Sequence, residues 1–189
     1  MISEAIEFLS SKLIELNLFE KVYSQVELIT NSDDKKIPAV YISDGKYKPI
    51  DYSANNGTAY IRKSSLITIA ESPLDSTIGC ETLTILNIPI RIVAYKKKSK
   101  LPFDCSYTED ILAETIISFL SNNTKQFKSV IQAQKVELIF NSIDTDSYQV
   151  WATETAGLLQ QDVNYDIACI GIEVYIRITT NLKCLNTYC

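Results

Sequence analysis

The segment Val163–Thr180, VNYDIACIGIEVYIRITT, constrains the fold more than any other stretch of this chain. Read with a period of two, one face carries Ala168, Ile170, Ile172, Val174, Ile176 and Ile178. The other carries Tyr165, Ile167, Cys169, Gly171, Glu173, Tyr175, Arg177 and Thr179. Such alternation specifies a β-strand with one buried face. Burying the apolar row contributes about 10 kcal/mol before chain entropy is subtracted. At about 3.3 Å per residue the run reaches roughly 60 Å, far beyond an ordinary strand. It must therefore bend, with Gly171 the natural point, or leave its domain and pair elsewhere. The strand end at Tyr175, Arg177 and Thr179 is the candidate contact with a neighbouring subunit.

A second long strand is expected over Glu81–Lys96, where Thr84, Leu86, Ile88, Ile90, Ile92 and Ala94 share a face. Pro89 cannot donate to a ladder and belongs at a bulge or an edge. Shorter strands are expected at Leu18–Thr30, with Val22, Ser24, Val26 and Leu28 on one face, and at Ile37–Ser43. Ala59–Glu71 reads as one further strand. Gln134–Ser142 and Tyr148–Glu154 read as a hairpin turning at Ile143–Ser147 and carrying Trp151. Residues 3–17 form an amphipathic helix capped by Ser3, with Ile6, Leu9, Leu13 and Leu16 on one face. Residues 107–121 form another, where Ser106 and Glu109 have capping-box spacing and Thr108 is the competing cap. Thr124–Gln132 is a loop or a helical turn. Strands grouped between helices predict an α+β fold: an antiparallel, strongly curved sheet with two amphipathic helices packed on one face. The expected organisation is one domain over residues 1–180, with an exposed polar loop at 46–58, followed by a C-terminal extension at 181–189.

Composition removes several kinds of chemistry. There is no histidine, which excludes Ser-His-Asp and Cys-His catalysis and the commonest transition-metal ligand. The five glycines are scattered, so no phosphate-binding loop can be drawn. Asp144 and Asp146 lack the glycine and distal glutamate of a calcium loop and mark a turn. Five cysteines, an odd number without metal-type spacing, read as reduced thiols, with Cys184 and Cys189 able to pair under oxidising conditions. No catalytic, metal or cofactor-binding residue is assigned and no cofactor is expected. No run is long and apolar enough for a membrane span, and the acidic N-terminus is unlike a secretory signal, so synthesis is expected to be intracellular.

The net charge of −5 argues against a general nucleic-acid binder. One local exception is Lys96, Lys97, Lys98 and Lys100, read as a solvated turn or as a patch facing a partner or DNA. Tyr47 and Tyr52, on the polar loop, are candidate interface residues or packing aromatics. Glu173 and Arg177 share a strand face and suit a surface ion network.

The N-terminal helix, the IPAVYIS strand at Ile37–Ser43, two long strands around a polar loop, a capped second helix and the closing YDIACIGIEVYIRI strand at Tyr165–Ile178 together resemble the tail terminator, or tail-completion, proteins of tailed bacteriophages. The resemblance implies a non-enzymatic structural virion protein of the tail or neck, assembled in the cytoplasm of a bacterial host. Its partners would be copies of itself in a closed ring, a hexamer or dodecamer, together with adjacent connector, portal or tail proteins. DNA would pass transiently through the lumen, and no membrane would be involved. The loop at 46–58 and the extension Asn181–Cys189 depart from that pattern and suit a ring or adaptor protein of a short-tailed phage. A cytosolic protein-binding module using the tyrosine loop, and a carboxylate-based hydrolase, are the expectations from other classes.

Overall fold

The two long alternating segments find each other. The computed structural model describes residues 1–50, 57–73, 82–103, 107–131, 133–155 and 166–181. In chain order its elements are α1 (Ile2–Glu15), β1 (Lys21–Thr30), β2 (Lys36–Ser43), β3 (Lys46–Pro49), β4 (Thr58–Lys63), β5 (Thr68–Pro73), β6 (Thr82–Lys97) and a 3₁₀ turn (Lys98–Lys100). There follow α2 (Thr108–Asn122), α3 (Thr124–Val130), β7 (Lys135–Asp144), α4 (Ser147–Thr155) and β8 (Ile167–Asn181). The chain is thus mixed α/β, with one open, mostly antiparallel eight-stranded sheet ordered β3-β2-β1-β4-β6-β8-β7, and with β5 also on β6. Among the described residues only β1 and β4 pair in parallel.

Strand β8 runs without interruption through Gly171. It pairs with β6 from Ile167↔Lys97 to Asn181↔Leu83, and β7 flanks its other side from Gly171 to Thr179. The expectation that its end pairs outside the domain is therefore corrected: Tyr175, Arg177 and Thr179 each have a strand neighbour on both sides. The apolar rows of β6 and β8 are buried, and they form one cluster with Leu9 and Leu13 of α1, Leu112 and Ile116 of α2 and Phe127 of α3.

Alternation places the opposite parity of the same strands on the other face, where Val93, Tyr95 and Cys169 join Tyr60, Val150 and Trp151 in a second cluster. Val150 and Trp151 belong to α4, so the predicted Tyr148–Glu154 strand is a helix and the hairpin does not exist. The described residues thus form two α-helices beyond the two expected, α3 within the stretch read as a loop or a helical turn and α4, which contributes to the face opposite the main cluster.

Local irregularities have identifiable causes. Gln25, at φ 54°, sits where the register of β1 against β4 shifts between Tyr23 and Val26. This bulge resets the parity, so Val22 packs in the α1-side cluster whereas Val26 joins the α4-side cluster, against the single face expected from the alternation. The predicted Ala59–Glu71 strand breaks into β4 and β5, which lie in succession along one side of β6. Pro89 occupies that junction, and its carbonyl accepts the Ser64 amide. Because N and O of one strand residue point to the same side, its missing N–H faces the gap and costs no ladder bond. Asp44 and Gly45, both at positive φ, turn β2 into β3, so part of the predicted loop at 46–58 is an edge strand. Ser3 lies inside α1 rather than capping it.

Gly171 also serves packing. A Cβ there would collide with Arg91 Nη2 and lie 2.7 Å from its Cζ, so the glycine makes room for a guanidinium. Gly171→Ala is expected to displace Arg91 and cost about 1–3 kcal/mol, read as a lower urea midpoint with unchanged slope. An unshifted midpoint would show that Arg91 relocates freely.

Candidate functional site

The chemistry-bearing side chains gather on the α4 side of the sheet. Arg62 on β4 and Arg91 on β6 project toward the last turn of α4, where Glu154 is 2 % exposed. Glu154 Oε2 accepts from the Tyr60 hydroxyl at 2.8 Å and from Arg62 Nε at 3.0 Å, and Oε1 accepts from Arg62 Nη2 at 2.8 Å. Arg91 Nε lies 2.9 Å from Oε1, a charge contact outside hydrogen-bond geometry. Arg91 Nη1 reaches Glu173 Oε1 at 3.0 Å, and Nη2 lies 3.8 Å from Asp144 Oδ2. Burial alone would lower the Arg62 pKa, but the hydrogen bond and charge of Glu154 outweigh it and raise the value. With both its oxygens engaged, Glu154 ties α4 to two adjacent strands. Of the two residues expected in an ion network, Glu173 joins one through Arg91 on β6, whereas Arg177 Nε donates to Asn87 Oδ1 at 3.0 Å.

A second polar chain fixes the other end of α4. Asp146 Oδ1 accepts the Tyr148 and Gln149 amides at 3.1 Å, an N-cap at the site predicted as a turn. Ser147 Oγ donates to Glu109 Oε1 at 2.9 Å and accepts the Cys169 amide at 2.9 Å. Lys98 Nζ completes the chain, 2.8 Å from Glu109 Oε1. Burial pushes the Glu109 carboxyl up, but hydrogen bonds from Lys98 and Ser147 hold it below its ordinary value. Burial pushes the Cys169 thiol up.

The predicted basic patch is divided by the fold. Lys96 is only 8 % exposed, and its ammonium donates to the Leu18 carbonyl beyond the end of α1. Burial lowers its pKa. Lys97 ends β6, Lys98 is the partner of Glu109, and Lys100 is exposed on the 3₁₀ turn. Reading the four as one solvated patch is therefore corrected: Lys96 is a core residue. Its parity could have revealed this, since it continues the apolar row Thr84 to Ala94 inward.

Tyr47 lies on β3, pairs edge-on with Tyr41 at 5.4 Å, and donates to Glu27 Oε2 at 2.9 Å. That hydrogen bond is the main cause of its raised pKa. Ser24, Gln25, Val40 and these three side chains line an open groove of about 490 Å³. Tyr52, Ser106, Cys184 and Cys189 lie outside the described residues. Among the described residues no cluster of three or more potential metal ligands forms, and no helix is long and apolar enough to cross a membrane. The Glu154 network escaped the sequence because its members come from five separate elements.

Lys96→Ala should lower stability by about 2–3 kcal/mol, through the lost stem and the orphaned Leu18 carbonyl. Lys100→Ala should change it by under about 0.5 kcal/mol. Equal effects in parallel denaturation curves would refute the division. For Glu109, a folded pKa below 4.5 means stability that is complete above that value and lost as pH falls through the folded pKa. Thermal melts of the protein and of Glu109→Gln should thus differ at pH 7 and converge toward pH 3. A gap independent of pH would contradict the assignment.

Comparison of the chain with protein-family models and with curated proteins finds no match in either.

Proposed function

We propose that this protein is a non-enzymatic structural virion protein that forms a homo-oligomeric ring, a hexamer or dodecamer, at the head–tail junction of a tailed bacteriophage. The observation that carries the reading is an open sheet whose outermost described strands, β3 and β7, are paired on one side only. Unpaired edges invite association, and a closed ring removes them. The order of elements read from the sequence resembles that of tail terminator proteins and supports the same reading, in which the sheet is strongly curved with α1 and α2 on one face. In this reading the ring lies in the tail or neck, contacts connector, portal or tail proteins, and lets DNA pass through an acidic lumen. A ring of a short-tailed phage is the nearest variant.

The groove beside Tyr41 and Tyr47 favours a second reading, a cytosolic protein-binding module. Tyr41 is 51 % exposed, which suits a contact surface. Native mass spectrometry and negative-stain microscopy separate the two: a discrete closed ring is expected across concentrations. A compact monomer at every concentration, forming a one-to-one complex with a host protein, would replace the ring with the module.

A further inference from the structure

The two outermost described strands of the sheet, β3 and β7, differ from each other and run in opposite directions. Following the pairings across the sheet, β1, β3, β4 and β8 run one way and β2, β6 and β7 the other. A second copy generated by rotation about an axis along the strands therefore brings its β7 beside β3 as an antiparallel neighbour, the commoner pairing. Contact between unlike edges is heterologous, and such contacts close into a ring when the rotation between copies closes and run on as a filament when it does not.

Side-chain parity then selects a register. Lys48 lies across from Val40, which packs in the α4-side cluster, so Lys48 shares that face and Tyr47 takes the other. On β7, Val136, Leu138 and Phe140 pack with α1, α2 and α3, leaving Glu137 and Ile139 on the α4 face. Pairing Tyr47 with Leu138 sets Lys48 directly opposite Glu137 on one face and an aromatic beside a leucine on the other, both favourable cross-strand pairs. A two-residue slip puts Lys48 opposite Lys135 in one direction, and Glu137 opposite Ile50 in the other. A one-residue slip exchanges the faces. Glu137 already contacts Lys135 at 2.9 Å, but both are substantially exposed, and such a pair exchanges readily. Lys46, Lys48 and Pro49 discourage indiscriminate pairing at this edge and select a strand that carries an acid.

We propose that β3 of one copy pairs antiparallel with β7 of a second copy, in the register that places Lys48 against Glu137. This rests on the ring reading, for which it names the contact. The test compares the full-length protein with Lys48→Glu, Glu137→Lys and the double exchange, by native mass spectrometry and light scattering, with thermal melts to confirm that each variant folds. Lys48→Glu is the decisive single, since Lys48 is exposed and has no recorded partner among the described residues. Each single should weaken association about five- to tenfold per contact, and the double should recover most of it. An oligomer indifferent to folded Lys48→Glu, or singles not rescued by the double, would overturn this contact while leaving the ring in place. A wild-type chain that stays monomeric would overturn both.

Discussion

The antiparallel ladder between β6 and β8 is the constraint on which the rest of the structure depends. It extends from Leu83↔Asn181 to Lys97↔Ile167 and supplies both clusters at once. One parity forms the floor beneath α1, α2 and α3, and the other receives α4. Every other strand is placed relative to this pair: β4 and β5 share one side of β6, β7 takes the far side of β8, and β1, β2 and β3 continue outward from β4. A register slip of one residue would exchange the two faces and ruin both clusters, so the uninterrupted apolar row of β8 does more than bury area.

What was legible in the sequence follows from how local the signal is. The two long strands declare themselves because their apolar rows are pure over many residues, and α1 and α2 because each carries a complete helical stripe. Residues 147–154 failed because Tyr148, Val150 and Ala152 alternate as readily as a strand would. The signals for α4 were present but short: Ser147, Val150, Trp151 and Glu154 fall on one helical face, and Asp146 with Gln149 has N-cap spacing. The bulge at Gln25 has no sequence signature, since a non-glycine residue at positive φ is imposed by its surroundings. At Lys96 charge and parity point in opposite directions, and parity prevails because the Leu18 carbonyl accepts the buried ammonium.

The candidate site was less legible than the fold. Arg62, Arg91, Glu154 and Glu173 are separated in sequence and converge only through sheet order, which the residue pattern does not encode. Gly171 stands out as an unusual residue in a long strand. Its missing side chain accommodates Arg91, which no local rule could indicate. Tyr175, Arg177 and Thr179 lie between β6 and β7, and the outermost described strands are β3 and β7.

The attachment of Glu154 to Arg62 and Arg91 also has a mechanical meaning. One carboxylate grips residues on two neighbouring strands that are themselves laddered together. Tension applied through α4 is divided between those strands and resisted by rows of hydrogen bonds acting in parallel. Separating the helix from the sheet means breaking the whole grip together, since it cannot be peeled away one bond at a time.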